Sequence, residues 1–430
     1  MKALVKPSML NGIATIRGNK SNTIRAVFLA TLAKGRSVVH NPSTGNDSLA
    51  AVDVCRNFGA EITCVGDAWT IDGVGSAPRV PDDILDTRNS GTTLGFTLAT
   101  ASLVNGFSFI TGDHQIRRRP YGALFGSLAD LGALVVSSRG HGLAPVAVRG
   151  RLRGGKCQTS GFNSQWISPL LVAGPVTDMG VEITVTDEPL ERGYVDITIG
   201  WLQRQRVEVK NDGYRRYRIE GGQSYRPFDE AIPGCWTSAG YPLVAAAITD
   251  SDAVLHGLDI DDFQRDKSIL DALRMAGADI DTANADGGIR VRGGRELAGF
   301  EIDCTDCPDN LPALVVLGTQ ASGKTVLRNI HHARVKETDR PAVMVEELSK
   351  MGARFEMTED ALTIYRSDLT GAAVDGHNDH RIVMACAAAA LAAKGETEIS
   401  DAEWTAISFP DFFPLMTSLG ADMTLPSAAD

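Results

Sequence analysis

The chain repeats one order of polar and apolar positions: a short polar cluster, then a segment of almost uninterrupted Ala, Leu, Val and Ile. The clusters are Lys20-Ser21-Asn22, Asn89-Ser90-Gly91-Thr92, Asn163-Ser164-Gln165, Thr237-Ser238, Asp309-Asn310 and Asn378-Asp379-His380-Arg381. The apolar segments that follow them are 25–32, 94–104, 167–173, 241–248, 311–319 and 382–393. Segments that are apolar on nearly every side predict buried helices.

A second phrase recurs in phase with the first: an apolar residue, then Gly-Ala, then a strand-like tail. Its copies are Phe58-Gly59-Ala60, Leu131-Gly132-Ala133, Ala276-Gly277-Ala278, Met351-Gly352-Ala353 and Leu419-Gly420-Ala421, with a degraded copy at 201–209. Glycine tolerates the left-handed backbone that ends a helix, so each copy predicts a helix end followed by a strand. We therefore predict six units of about 72 residues. Short β-branched or aromatic segments at 36–40, 106–110 and 325–327 predict strands and an α/β (α+β) fold.

Composition narrows the class of protein. A chain of 430 residues predicts two or three domains, and 43% hydrophobic with 22% charged residues is typical of soluble globular proteins. Residues 1–7 contain no signal-peptide core and no apolar run approaches a membrane span, so we expect a cytoplasmic protein.

Seven cysteines favour reduced thiols, and the lone Cys304-Cys307 pair is weak evidence for zinc. A net charge of −11 argues against a nucleic-acid partner.

The segment Val335-Lys336-Glu337-Thr338-Asp339-Arg340 places two cations around a carboxylate just before a predicted helix at 341–351. Such a set suits an anionic ligand that also needs a proton moved, although a solvated helix start is the simpler alternative. Polar residues also cap helices for purely structural reasons. Six polar helix starts that converge on one cleft would, however, favour a phosphate or carboxylate ligand.

The segment 318–325 fits the phosphate-binding pattern of nucleotide hydrolases. That motif requires a strand before it and a helix after it. Here a helix is predicted before it and a strand after it, so we interpret the fit as chance.

The Val335–Arg340 segment resembles the signature of the enolpyruvyltransferase family, and five further stretches resemble that family in the expected order: 19–21, 89–92, 221–225, 378–381 and 408–410. The resemblance implies two lobes of three repeats each, residues 19–233 and residues 1–18 with 234–430, with ligands in the cleft between them. It also implies transfer of the carboxyvinyl group of phosphoenolpyruvate to the 5-hydroxyl of shikimate 3-phosphate by a monomer. Neither a metal nor a cofactor is expected.

Roles for individual residues are likewise implied by the resemblance. Catalytic roles fall to Lys20, Asp309, Glu337 and His380, with Asp309 taking the acceptor's proton and Glu337 serving the methylene carbon. Substrate contacts fall to Ser21, Arg25, Gly91, Thr92, Ser164, Gln165, Lys336, Arg340 and Arg381, the last two clamping the donor carboxylate. Alternatives stay open: Asp309 as a helix cap, His380 as a core histidine, and Arg340 and Arg381 as surface charges.

Departures from the family pattern put the substrate in question. Gly95, Gln115 and Ile407 stand where three cations are expected, Cys235 replaces an aspartate, Asn163 a serine, His332 an asparagine, and Glu191 a serine that helps bind acceptor phosphate. Each lost charged hydrogen bond is worth about 1.5–3 kcal/mol. Two alternatives therefore remain: a paralogue acting on another hydroxyl acceptor, such as a nucleotide or a phosphorylated cyclitol, and a ligand-binding relative without turnover.

Overall fold

The computed structural model describes residues 1–283 and 287–425, and the chain divides into two compact units. The central unit is Gly18–Ile232, and the terminal unit combines Met1–Arg17 with Pro233–Asp430. Each has its own apolar core, with Trp69 and Trp201 fully buried in the central one and Trp236 in the terminal one. The expected placement of ligands in a cleft between two lobes stays a prediction.

Six four-stranded sheets share one pairing pattern within the described residues: a parallel pair, then two antiparallel pairs. In spatial order, the central unit contains Asp229–Ala231, Lys34–His40, Ala68–Val74 and Glu61–Val65; Leu85–Asp86, Phe107–Thr111, Val146–Arg149 and Leu134–Ser137; and Gly155–Thr159, Val181–Val185, Arg216–Ile219 and Lys210–Asp212. The terminal unit contains Asn11–Thr15, Asp252–His256, Ile289–Arg292 and Asp279–Asp281; Glu301–Asp303, Lys324–Arg328, Ala361–Tyr365 and Arg354–Met357; and Ala373–Val374, Thr397–Ile399, Ala3–Val5 and Met423–Thr424. Leu297–Ala298 and Ala321–Ser322 form a further parallel pair. The predicted sixfold repeat and α/β class are confirmed.

Twelve α-helices are described alongside these sheets. They are α1 Lys20–Leu32, α2 Asn46–Asn57, α3 Gly91–Ala101, α4 Gly122–Asp130, α5 Ser168–Ala173, α6 Arg192–Arg204, α7 Trp236–Ile248, α8 Ile269–Met275, α9 Leu311–Gln320, α10 Arg340–Lys350, α11 His380–Leu391 and α12 Phe412–Ser418. Short 3-10 turns span Ile116–Arg118, Ser164–Trp166, Gly174–Val176, Arg265–Ser268, Pro308–Asn310, His331–Val335 and Ala402–Ile407. The six predicted buried helices are α1, α3, α5, α7, α9 and α11, which are almost wholly buried.

Two of these helices begin five residues earlier than the apolar pattern predicts. Helix α1 starts at Lys20 because the Asn19 carboxamide oxygen accepts the Asn22 amide at 2.9 Å. Helix α7 starts at Trp236 and contains Pro242 in its interior. Polar residues of the first turn are thus part of the helix, which points their backbone amides toward its amino-terminal end.

The Gly-Ala phrase ends helices as predicted. Gly59, Gly132, Gly277, Gly352 and Gly420 all have positive φ, between 79° and 107°. In the degraded sixth copy Arg206 takes this position with φ 61°, directly after α6. An arginine is tolerated there, and this explains why the copy is hard to recognise by glycine alone.

The nucleotide-hydrolase pattern occurs in the order expected for a chance fit. Gly318 and Thr319 lie inside α9, and the strand Lys324–Arg328 follows. Among the described residues, no helix combines the length and apolar character needed to cross a bilayer. The seven cysteines form no disulfide, and all but Cys64 are buried.

Candidate active site

The terminal unit contains a buried cluster of charges centred on Arg340, the first residue of α10. Its guanidinium lies 2.7 Å from Asp309 and 2.9 Å from Asp379, and it also contacts Glu337. The Arg340 side chain is 1% exposed. Burial alone would lower the pKa of Arg340, but the three carboxylates raise it above its ordinary value. The alternative of a surface charge is therefore wrong for Arg340.

Asp309 joins the two arginines of this cluster. Its Oδ1 accepts from Arg340 and its Oδ2 accepts from Arg381 Nη2, both at 2.7 Å. Arg381 is 5% exposed, so it too is not a surface charge. The helix-cap alternative for Asp309 is also wrong, since Asn310 occupies the cap position of α9. Burial acts to raise the pKa of Asp309, yet the charges of Arg381, Arg340 and Lys336 hold it well below its usual range.

Asp379 lies in the 378–381 motif, and the sequence predicted no role for it. Its carboxylate accepts from Arg340 Nε, from the Thr338 hydroxyl at 3.0 Å and from the Arg381 amide at 2.9 Å. Asp379 thus caps α11, and it binds Arg340 through its side chain and Arg381 through its backbone amide. His380 is fully buried, with its Nδ1 3.8 Å from Asp379. The predicted role of His380 stays a prediction.

Tyr241 on α7 is a second residue that the sequence patterns missed. It is fully buried, and burial raises the pKa of its phenol to about 12 although Arg381 and Arg340 act to lower it. Its position within an apolar segment gave no sign of this neighbourhood. Tyr241 therefore adds a neutral hydroxyl beside the two cations.

In the central unit, α1 carries the predicted residues Lys20, Ser21 and Arg25. The Lys20 ammonium pairs with Asp47 at 2.8 Å, and both side chains are largely buried. Asp47 lies in the first turn of α2, and its backbone oxygen accepts from the Thr93 hydroxyl of α3. This contact ties Lys20 to the start of α3, a connection that sequence spacing could not give.

Arg25 is a buried cation, and the groups that contact its guanidinium are uncharged. Its guanidinium donates to Thr198 Oγ1 at 2.7 Å and to the carbonyl oxygens of Tyr194 and Ser21, and it lies 5.4 Å above the Phe96 ring. Burial lowers the pKa of Arg25. No carboxylate of the described residues lies within ion-pair distance of it, so its charge has no internal counterion. An anionic ligand nearby would be stabilised.

Gly91, Thr92 and Gln165 meet at the amino-terminal end of α3. The Tyr121 hydroxyl lies 2.6 Å from both the Gly91 carbonyl and Gln165 Oε1, and Gln165 Nε2 lies 3.4 Å from Thr92 Oγ1. A Cβ on Gly91 would come within 2.8 Å of Arg119 Nη1 and 2.7 Å of Gln165 Oε1. Gly91 thus permits a close approach of these polar groups, which no other residue would allow.

Ser164, beside this group, is bound by one of the residues that depart from the family pattern. Glu191 Oε2 accepts from the Ser164 amide at 3.2 Å and from its hydroxyl at 3.0 Å, and Glu191 is 2% exposed. Glu191 also has φ 53°, the left-handed region. A carboxylate therefore occupies the donors of Ser164, a residue that the resemblance assigns to acceptor binding.

The other departures are packed into the fold. A Cβ on Gly95 would lie 2.9 Å from the Gln165 carbonyl oxygen, which leaves no room for the arginine of the family pattern. Ile407 is 5% exposed, and Gln115 accepts from Asn89 Nδ2. Cys235 caps α7 in place of an aspartate. The side chains at these positions supply no charge.

Among the described residues, one group has the spacing to hold a metal ion: Glu346, Glu347 and His377. Glu347 already accepts from Lys350, from His377 and from the Asp375 amide, each at 2.7 or 2.8 Å. These internal donors satisfy both oxygens of Glu347. We interpret the group as an ion-pair network beside α10.

The chain is similar to known proteins in both sequence and fold. The model of the EPSP synthase (3-phosphoshikimate 1-carboxyvinyltransferase) family matches residues 4–416. A 3-phosphoshikimate 1-carboxyvinyltransferase of Acetivibrio thermocellus is 43% identical over 420 residues, covering 98% of each chain. One of Halobacterium salinarum is 41% identical over 430 residues, covering 98% of this chain and 99% of that protein.

Solved structures give the same result for the fold. EPSP synthase from Acinetobacter baumannii superimposes with a TM-score of 0.85 at 28% identity, over 99% of this chain and all of that one. The family match, the identities and the superposition each span nearly the whole chain. The resemblance seen in the six motifs is therefore confirmed, and this chain belongs to the EPSP synthase family.

Proposed function

We propose that this chain transfers the carboxyvinyl group of phosphoenolpyruvate to the 5-hydroxyl of shikimate 3-phosphate and releases phosphate. It is a transferase of the shikimate pathway, in aromatic amino acid biosynthesis. Family membership over residues 4–416 supports this proposal. The observation that carries it in the structure is Asp309 held between Arg340 and Arg381.

The charge cluster suits the proposed proton transfers. With no ligand, Asp309 is the counterion of two guanidiniums, which makes it a weak base. A donor carboxylate that binds Arg340 and Arg381 would take over these contacts. The pKa of Asp309 would then rise, because the two guanidiniums no longer stabilise its charge alone, and the carboxylate would become a better acceptor for the proton of the acceptor hydroxyl.

Glu337 completes the proposed sequence. As the acceptor oxygen bonds to C2 of the donor, a proton is added at C3, and we assign Glu337 and Lys20 to this transfer. Loss of a proton from C3 then breaks the bond between C2 and the phosphate oxygen. His380, beside the arginines, would orient them, and Lys336 would contact the acceptor phosphate.

The central unit supplies the remaining proposed contacts. Ser21, Arg25, Ser164 and Gln165 would bind the acceptor, and Gly91 and Thr92 would bind ligand at the start of α3. The buried charge of Arg25, without an internal carboxylate, supports an anionic ligand here. No metal or cofactor enters the proposed reaction, which we place in the cytoplasm and assign to a monomer.

Phosphate release tests the proposal. We expect release from phosphoenolpyruvate that depends strictly on added shikimate 3-phosphate, with one product phosphate per acceptor consumed. A panel of acceptors, including phosphorylated cyclitols and nucleotides, provides the comparison. Release only with another member of the panel, or binding without release, would contradict the proposed substrate.

A second candidate function has one structural observation in its favour. The Glu191 carboxylate fills the donors of Ser164, and it would repel an acceptor phosphate at that place. The same lobes would then act on a hydroxyl acceptor without a phosphate in this position. Family membership fits both candidates, so the identity of the acceptor is decided by the panel.

Glu191→Ser separates the two candidates further. Under the first candidate we expect the KM for shikimate 3-phosphate to fall about tenfold or more, because one charged contact is worth about 1.5–3 kcal/mol. The measurement is steady-state kinetics at saturating phosphoenolpyruvate. Glu188→Ser, at an exposed residue of the same loop, is the control and should leave KM unchanged. An unchanged or higher KM in Glu191→Ser would favour the second candidate.

A further inference from the structure

The central unit has an open pocket that no part of the proposed reaction uses. Its volume is 720 Å³, and its walls include Leu134, Arg149, Arg151, Arg153, Asp178 and Met179. We refer to it as the arginine pocket. It combines three cations with exposed apolar side chains in a chain whose net charge is −11.

The three arginines alternate along one extended segment. Leu152 is buried, whereas Arg149, Arg151 and Arg153 are exposed and line the pocket. The backbone of the segment is bonded at both ends: Arg149 pairs with neighbouring strands of its sheet, the Leu152 amide donates to the Ser102 carbonyl, and the Arg153 amide donates to the Leu131 carbonyl. The guanidiniums are therefore presented together by a well-bonded backbone.

Their charges are largely unmatched. Arg151 lies 3.4 Å from Asp178, and both side chains are about two-thirds exposed, at 65% and 68%. Among the described residues, Arg149 and Arg153 have no carboxylate within ion-pair distance, and Arg149 lies 5.5 Å above the Phe107 ring. Proximity to the end of α4 gives Arg153 a structural role, since a cation is favourable at a helix carboxyl end. That role does not explain Arg149 or Arg151.

The pocket is distinct from the proposed reaction site. Gly91 and Thr92 begin α3. The Leu152 amide, in contrast, donates to the Ser102 carbonyl just beyond the other end of that helix. Eleven residues of α-helix span about 16 Å. Likewise, Ser164 precedes α5 and Asp178 follows it.

We propose that the arginine pocket binds a small phosphate-bearing anion with at least two negative charges and an apolar portion. Arginine forks suit phosphate oxygens. Leu134 and Met179, 50% and 62% exposed, would contact the apolar portion. Bound anion would offset the mutual repulsion of the three cations. The proposal does not depend on the proposed function, because no turnover enters it.

The test uses the full chain with ADP and inorganic pyrophosphate as probes, at about 50 mM salt, where charge contacts are weakly screened. Isothermal titration gives affinity, and hydrogen exchange locates binding. We expect slowed exchange in residues 149–154 and 177–180. The double variant Arg151→Ala with Arg153→Ala should weaken ADP binding at this location by about tenfold or more.

A double variant of equal charge serves as the control: Lys210→Ala with Arg216→Ala, both exposed in the same unit. It should leave ADP affinity within about twofold, since screened distant charges contribute little. Exchange that is unchanged at 149–154, or an equal loss in the control, would overturn the proposal. Equal affinity for ADP and pyrophosphate would overturn the proposal that the ligand has an apolar portion.

Discussion

Asp309→Asn should lower the kcat of phosphate release by about 10²–10⁴-fold, which is the usual contribution of a positioned general base. The amide keeps the shape of the side chain but cannot accept the acceptor proton. The KM for the acceptor should change less than kcat, because the interaction that is lost forms only in the transition state. Fixed-time assays of phosphate release at saturating concentrations of both substrates provide the measurement.

Asp306→Asn is the matched control for this variant. Asp306 lies three residues earlier, is 17% exposed against 19% for Asp309, and likewise contacts an arginine at 2.7 Å. It should retain kcat within about threefold, since its partner Arg265 lies outside the cluster. An Asp309→Asn enzyme as active as Asp306→Asn would refute the assignment of Asp309 as the base.

The same variant has a defined pH signature. Because the pKa of Asp309 is lowered in the folded state, its stabilising contribution is fully present above the unfolded-state pKa of about 3.9. It is lost as pH falls from there toward the folded-state pKa. The difference in unfolding free energy between wild type and Asp309→Asn should therefore be constant from pH 5 to pH 8 and shrink only in stronger acid.

Arg340→Met should destabilise the terminal unit by about 3–5 kcal/mol, the cost of leaving buried charges without their partner. Three carboxylates, of Asp309, Glu337 and Asp379, would lose a guanidinium that is 1% exposed. Native-state hydrogen exchange of α9 and α11 amides measures this unit separately from the central one. Arg340→Lys keeps the charge but not the planar fork, so we expect a smaller loss.

Arg328→Met is the control for Arg340→Met. Arg328 pairs with Glu301 on the surface, with the two side chains 56% and 55% exposed. Exposed pairs contribute little to stability because water and salt screen them, so exchange in α9 and α11 should barely change. If Arg340→Met proved no more costly than Arg328→Met, the cluster would not be a coupled charge network.

Local patterns predicted the repeats because each depends on near neighbours in the sequence. Glycine after an apolar helix end takes positive φ at Gly59 and at Gly352 regardless of what packs above it. Apolar segments likewise identified α9 and α11. Helix starts were less predictable, since the Asn19 cap extends α1 through Lys20 and Ser21, whose polar side chains interrupt the apolar pattern.

Side-chain partners across the fold were beyond the reach of these patterns. Asp47 pairs with Lys20 from 27 positions away, and Asp379 holds Arg340 from 39 positions away. The capture of Ser164 by Glu191 also depends on where two loops meet. The Val335–Arg340 signature still pointed to Glu337 and Arg340 of the charge cluster, because its order matched a known family.

Strand pairing at the two ends of the central unit has a consequence for synthesis on the ribosome. Asp229–Ala231 pairs with Lys34–His40, so every sheet of that unit is complete once its own residues have emerged. The terminal unit differs, since Ala3–Val5 must wait for Thr397–Ile399 and Met423–Thr424. The central unit can thus reach its native state during translation, while Ala3–Val5 remains without its sheet neighbours until residues 397–424 are made.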